Sequence, residues 1–333
     1  RVLGEQIIGI EAGAAEENRV VPRPGFLHLG GLVLQGGDHL GRRCRGQGPV
    51  GIQGIDHPAR HGIDHQITDL PAQPGGSALA LGSGNPNTDK RFGFDYKAAA
   101  TAAQDGGLRY WSLPATPLTY SSGGKGYTAR LHLFASGGQQ QFTWKTQRGY
   151  LSSPHDVRNQ EFTVYVRVHK PLTPLNAQVT LKIRGGRHSE KDGDLASSTM
   201  MTFGPGGPSG ITRFAKELTD PLYDYVVLRP LLDVALQPGQ WYGLKLISYS
   251  RPGLTGEVLN QLYLDTAPFD AAGRPANGWQ LLSEYTDVQG KRTGRHYDTL
   301  ADWGGWQTTL RMDGYRSIDF ALPSVREIVP PAP

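Results

Sequence analysis

Apolar and polar residues alternate strictly in several segments beyond residue 90, and this period of two predicts half-buried β-strands. The clearest segments are 161–169, 178–184, 241–249 and 260–265. In the first, apolar residues occupy every second position from Phe162 to Val168. Turn signals rich in glycine and proline separate these runs, and no long segment has the 3.6-residue period of a helix.

Further strand candidates are residues 127–135, 140–147, 211–217, 223–229, 279–285, 307–312 and 316–329. Roughly ten or more short strands with such spacing favour an all-β fold, a two-sheet antiparallel β-sandwich of the jelly-roll type. The 45 glycines and 24 prolines support this choice, because both residues interrupt helices.

The composition changes near residue 90. Residues 1–89 hold one aromatic residue, Phe26, and no lysine, whereas all 6 tryptophans and all 14 tyrosines lie further on. A segment with so few aromatic residues has little with which to build a core. We therefore expect residues 1–89 to be a glycine-, arginine- and histidine-rich segment that is disordered or is not native coding sequence. Residues 90–330 are expected to form the jelly-roll domain.

Charge and cysteine content narrow the function classes. The formal net charge is +4, a mild basic excess that suits acidic partners without singling out nucleic acid, and we expect no nucleic-acid partner. The single cysteine, Cys44, excludes an intrachain disulfide and a cysteine zinc site. No apolar run approaches the ~20 residues of a membrane-spanning helix. The chain begins at Arg1, which suggests a fragment or a processed form with any signal peptide upstream.

The polar faces of several predicted strands carry basic and aromatic side chains instead of the usual threonine and serine. They are Tyr165, Arg167, His169, Lys182, Arg184, Lys245, Tyr249 and Tyr263. If these strands share one sheet, they make a face suited to an extended anionic sugar polymer, since aromatic rings fit sugar faces and arginine binds carboxylates. The alternative is an ordinary solvated sheet face with cross-strand pairs.

Residues 183–189 predict an anion site at the end of a strand. Arg184, Arg187 and His188 follow one another closely around two glycines. Nearby positive charge lowers the pKa of an imidazole, so His188 would be neutral and able to accept a proton. The alternative is a surface turn with a chance basic cluster. Lys216 is expected to join the same face, and Tyr225 is a further candidate proton donor. The alternative is that both are solvated side chains of an edge strand without a function.

The order of the motifs RGGRH, RFAKE, WYGLK and SVREI resembles a group of secreted microbial proteins related to the concanavalin A-like jelly-roll polysaccharide lyases, above all the alginate lyase type. The resemblance covers residues 85–330 and implies a secreted or cell-surface protein. The Gln-x-His strand of the lyase pattern is not visible, and the segment LKIRGGRH matches the arginine strand loosely.

The first functional hypothesis is a lyase that cleaves a uronate-containing polysaccharide, such as alginate or glucuronan, by β-elimination. That reaction needs a neutralised carboxylate, a base and an acid. Arg184 and Arg187 would neutralise, His188 would be the base, and Tyr249 or Tyr225 the acid. The expected substrate-binding residues are Arg187, Lys182, Lys216, Lys245, Tyr165, Arg167 and Tyr263.

Two other classes stay open. A non-catalytic carbohydrate-binding or cell-surface module would use the same basic, aromatic face. A jelly-roll glycoside hydrolase would need two facing carboxylates, for which Glu217, Asp265 and Glu161 are the candidates. We expect a monomer without a cofactor or bound metal, although the fold class tolerates calcium.

Overall fold

The structure is a computed structural model that describes residues 70–119, 124–135, 157–186, 198–205, 210–219 and 222–332. These residues form 16 β-strands and two short 3-10 turns, and none of them forms an α-helix. The same residues contain no helix that could cross a bilayer. Outside the described residues lie most of the segment 1–89 that is expected to be disordered, namely residues 1–69, and also the strand candidate 140–147, Arg187 and His188.

The first sheet contains, in spatial order, β14 (Gln280–Val288), β13 (Glu257–Asp265), β12 (Trp241–Ser250), β7 (Gln160–Val168), β16 (Ser317–Glu327), β4 (Leu108–Pro114) and β3 (Thr101–Asp105), with β1 (Ala78–Ala80) also paired to β16. The second sheet contains β11 (Leu222–Leu228), β10 (Thr212–Thr219), β9 (Ser198–Phe203), β8 (Gln178–Gly185), β15 (Gln307–Asp313), β6 (Lys125–Phe134) and β2 (Phe92–Phe94), with β5 (Thr116–Thr119) also paired to β6. Every pairing is antiparallel.

One apolar core lies between the two sheets. The alternate residues from Phe162 to Val168 of β7 are fully buried, and Leu181 of β8 and Leu310 of β15 face them from the other sheet. Burial of apolar surface contributes about 25 cal/mol per Å², so these inward rows favour one register of each strand. The predicted two-sheet antiparallel sandwich is confirmed.

The folded unit includes residues that composition assigned to the N-terminal segment. Strand β1 pairs with β16 through Leu79 opposite Val325, and both Leu79 and Leu81 are buried. The composition of this segment did not predict strand β1, because a three-residue strand needs only one inward leucine and no aromatic residue.

The assumption that all the basic, aromatic strands share one sheet is wrong. Strand β8 lies in the second sheet, whereas β7, β12 and β13 lie next to one another in the first. Lys182 therefore points to the opposite surface of the sandwich from Lys245 and Tyr263.

The core predicts a contrast between two leucine substitutions. Leu246→Ala in β12 should destabilise the protein by about 2–5 kcal/mol, because Leu246 is fully buried and its removal leaves a cavity. Leu175→Ala is the matched control, since Leu175 is 89% exposed and should change the free energy of unfolding by less than about 0.5 kcal/mol. Urea unfolding measures both. Equal losses would contradict the assignment of Leu246 to the core.

Candidate functional site

The outward side chains of the second sheet form a surface that we call the polar face. Its charged and titratable members are Arg130, His132, Lys182, Arg213, Glu217, Tyr223, Tyr225, Arg311 and Asp313. Alternation places them there, because residues such as Leu131, Ile183 and Met312 face the core from neighbouring positions. Side chains from several strands converge over this face.

His132 lies at the centre of a hydrogen-bonded group on β6. Its Nε2 is 2.8 Å from Oδ1 of Asp95, and its Nδ1 is 2.9 Å from both Oγ1 of Thr309 and Nε2 of Gln307. The amide of Gln307 donates to Nδ1, so the proton of the neutral imidazole lies on Nε2 and is donated to Asp95. The lone pair of Nδ1 therefore accepts the hydrogen bond from Gln307.

Asp95 is held as a carboxylate by its partners. The Nη1 atom of Arg130 donates to Oδ2 of Asp95 at 2.8 Å, while His132 holds the other oxygen. Burial raises the pKa of Asp95, but the hydrogen bonds from His132 and Arg130 and the charge of Arg130 hold that pKa well below its usual range. An ionised Asp95 stabilises positive charge on the imidazole.

A small cleft lies on the polar face beside this group. Its lining includes Arg130, His132 and Lys182, and Gln307 and Thr309 form part of its wall. Asp95 is not part of the lining. The Nδ1 side of the imidazole, which contacts Gln307 and Thr309, therefore lies on the cleft side.

Lys182 supplies a second cation to the cleft. Its Nζ lies 2.5 Å from Oε2 of Glu217, a fully buried carboxylate on β10, and Glu217 also bonds the Tyr223 hydroxyl. Burial lowers the pKa of Lys182, Glu217 opposes this, and the charges of Arg311 and Arg130 lower it further. A lysine with a lowered pKa gives up its proton more readily than a free one.

Charged side chains also lie on the part of the polar face that β10, β11 and β15 form. Arg311 lies 2.7 Å from Asp313, and Arg213 donates to Gln178 and lies 5.0 Å from the ring centre of Tyr225. Burial raises the pKa of Tyr225, so its hydroxyl stays protonated at neutral pH. Five strand spacings of ~4.8 Å separate β11 from β6, or about 24 Å, so Tyr225 is remote from His132.

Arg184 does not lie on this face. A register shift between β8 and β15 and a positive φ of 54° turn its side chain into the sandwich, where it is fully buried. The expectation of an exposed rim position is therefore corrected. Gly305 packs against the backbone of Arg184 so closely that a Cβ would lie 2.3 Å from its carbonyl carbon.

Lys216 also points inwards. It is fully buried, and its Nζ lies 2.6 Å from Oδ1 of Asp287 and 2.7 Å from the carbonyl oxygen of Thr299. It follows Phe214 by two positions and so shares the core-facing row of β10. The expectation that it joins a basic open face is corrected.

The remaining predicted residues lie on the outer face of the first sheet, where the segment 266–279 covers part of them. Phe269 of this segment contacts Tyr165 with ring centres 4.8 Å apart, and Trp279 lies 4.7 Å from the Lys245 ammonium. Lys245, Tyr249 and Tyr263 are buried. This face is therefore more closed than an open polymer groove requires.

Arg167 on the same sheet is held between two aromatic rings. Its guanidinium lies 4.9 Å from the ring centre of Tyr110 and 4.8 Å from that of Trp241, and it pairs with Asp319 at 2.8 Å. Both ring contacts and the ion pair hold it in a structural role between β7 and its neighbours.

Sequence reasoning missed His132 and Arg130, although it predicted their strand. The segment 127–135 alternates, and its polar positions carry the Arg-x-His pair. The signal was present, but the partner Asp95 lies 37 positions away and Gln307 lies 175 away, so the group was invisible without the fold. Within the described residues, no group of three or more histidine, cysteine or acidic side chains is arranged to hold a metal ion.

No family model and no curated protein sequence matches the chain. Among solved structures, it is similar to the endo-β-1,4-glucuronan lyase of the fungus Trichoderma reesei, at 13% identity and a TM-score of 0.41 over 73% of this chain and 93% of the lyase. It is similar to an alginate lyase from Chlorella virus at 7% identity and a TM-score of 0.39, over 73% and 94%. It is also similar to lectin I-B4 from Griffonia simplicifolia at 9% identity and a TM-score of 0.34, over 74% and 98%. These structures include both lyases and a lectin.

The Asp95 group predicts a pH-dependent contribution to stability. The folded-state pKa of Asp95 is lowered from its ordinary 3.8, so its contribution is present above that value and is lost as pH falls towards the folded-state pKa. Asp95→Asn should therefore destabilise the protein at pH 7, and the difference from the parent should shrink below about pH 4. Urea unfolding at several pH values measures this.

The control is Glu257→Gln, which removes a partly exposed partner of Arg251 at 3.1 Å and should have little effect at any pH. A difference for Asp95→Asn that stays constant from pH 7 to pH 3 would mean that packing, not charge, is lost.

Proposed function

We propose that the polar face binds a uronate-containing polysaccharide and cleaves it by β-elimination in the cleft beside His132. One observation carries the proposal: an imidazole oriented by a carboxylate lines the same cleft as two cations, Arg130 and Lys182. Such a cleft suits an anionic sugar better than the outer face of the first sheet, which is partly covered. A secreted or cell-surface protein would meet such polymers.

The proposed chemistry uses three groups. Arg130 neutralises the uronate carboxylate, which makes the neighbouring C5 proton acidic. Nδ1 of His132 takes that proton once the substrate displaces the amide of Gln307, and Asp95 stabilises the imidazolium that forms. The electron pair of the C5–H bond forms the C4–C5 double bond, the C4–O4 bond breaks, and O4 receives a proton from the Lys182 ammonium.

The roles of Arg130 and Lys182 agree with the resting structure. Arg130 lines the cleft, and its side chain is 12% exposed, so a ligand in the cleft can reach it. The lowered pKa of Lys182 favours proton donation to the leaving oxygen. Tyr225 stays a candidate for polymer binding further along the face, and Arg187 and His188 stay candidates from the sequence alone.

A non-catalytic carbohydrate-binding module is the second candidate. It is favoured by the ion pair between Lys182 and Glu217, because this pair satisfies the lysine without a substrate. The two functions differ in their product, since only elimination leaves an unsaturated uronate that absorbs ultraviolet light.

Turnover should depend on His132 and not on a chemically matched histidine. His132→Gln should lower the rate of ultraviolet absorbance gain on glucuronan or alginate by about 10²–10⁴-fold, the usual contribution of a general base. Binding of the polymer should be retained, because a base acts on the transition state.

His169→Gln is the control, since His169 also bonds a carboxylate, Asp319 at 2.7 Å, but on the other sheet. Its turnover should match the parent. Equal losses in both variants would contradict the site, and polymer binding by the parent without any absorbance gain would favour the binding module.

Polymer binding should weaken with Lys182→Met and with added salt. Hydrogen bonds to charged groups contribute about 1.5–3 kcal/mol, and exposed charge pairs are screened by ions. Isothermal titration at two salt concentrations measures both effects. Lys245→Met is the matched control on the first sheet and should bind as the parent does. A Lys182→Met protein with unchanged affinity would remove the lysine from the site.

A further inference from the structure

The interior of the sandwich contains a charged cluster that the proposed chemistry does not use. We call it the interior cluster, and it consists of Arg184, Lys216 and Asp287. Arg184 and Lys216 are fully buried, and Asp287 is 1% exposed. Charged groups rarely lie in an apolar core unless their charges are compensated, because leaving water costs several kcal/mol per ion.

The charges of the interior cluster do not balance. Asp287 pairs with Lys216 at 2.6 Å, so these two charges compensate each other. Arg184 forms no ion pair with any carboxylate of the described residues. The charges of Asp302 and Asp287 favour its charged form from beyond ion-pair distance, and the charge of Arg158 opposes them. The guanidinium therefore has no direct counter-ion among the described residues.

The hydrogen bonds of Arg184 leave one of its nitrogens unpaired. Its Nε donates to Oγ of Ser248 at 3.1 Å, and its Nη1 donates to the carbonyl oxygen of Trp303 at 2.8 Å. Its Nη2 is buried and has no hydrogen-bond partner among the residues that the structure describes. A buried charged donor without an acceptor costs more than an ordinary unpaired group.

A second unpaired donor lies on the neighbouring strand. Thr199 is paired with Ile183, the residue before Arg184, and with Lys216 on the other side. Within the described residues its hydroxyl is buried and has no hydrogen-bond partner. An acceptor that carries a negative charge would satisfy Nη2 of Arg184, and the Thr199 hydroxyl lies on the strand next to that of Arg184.

We propose that the interior cluster binds one small monovalent inorganic anion of the halide class, held by Nη2 of Arg184. The full burial of Arg184 excludes the carboxylate of a polymer as the ligand. Loss of the proton does not remove the need for an anion, because burial lowers the pKa of Arg184 only to about 9 and the side chain stays charged at neutral pH.

Two measurements test the proposal on the full chain. The melting temperature is measured in sodium chloride and in sodium gluconate at equal ionic strength, since gluconate is too large for the interior. Above the dissociation constant, each tenfold rise in chloride should raise the melting temperature by roughly 3–5 °C. Crystals grown with bromide should show an anomalous peak within hydrogen-bond distance of Nη2 of Arg184.

Arg184→Met should lose the chloride dependence, whereas Arg213→Met on the polar face should keep it. If Arg184→Met does not fold, the bromide experiment on the parent protein still tests the proposal. Equal melting temperatures in chloride and gluconate, or an uncharged water in place of a bromide peak beside Nη2, would overturn the proposal. Neither result depends on the polysaccharide, so the proposed function is tested separately.

Discussion

The apolar layer between the two sheets determines where every other side chain of the fold points. Phe162 to Val168 on one side and Leu181 to Ile183 on the other occupy every second position, so a one-residue slip would expose a whole row. Given that constraint, the intervening residues must face outwards. Arg130, His132 and Lys182 reach one surface for this reason, and Tyr165, Lys245 and Tyr263 reach the opposite one.

The outer faces of the two sheets differ in how far other residues cover them. The segment 266–279 places Phe269 and Trp279 over the first sheet, where the ring of Trp279 contacts the Lys245 ammonium. On the second sheet the cations pair with carboxylates, and a cleft stays open beside His132. Partial burial matters for the chemistry, because it strengthens the interaction of Asp95 with His132 and lowers the pKa of Lys182.

Alternation in the sequence predicted the strands and the inward rows, because those depend on local order alone. It did not predict which strands share a sheet: β8 and β12 have the same pattern but lie in different sheets. Pairing between segments far apart in the chain depends on the complete core. The position of Arg184 was also out of reach, because a bulge with a positive φ reverses the direction that alternation assigns. The Asp95–His132 pair was missed because its members are distant in sequence.

The central claim is that the second sheet, and not the first, carries the polymer-binding surface. Nuclear magnetic resonance of the full chain titrated with a glucuronate or mannuronate trisaccharide tests it directly. The largest chemical-shift changes should fall on Arg130, His132, Lys182 and Thr309, and the titration curve should fit a single binding site. Changes confined to Trp241, His169 and their neighbours on the first sheet would contradict it.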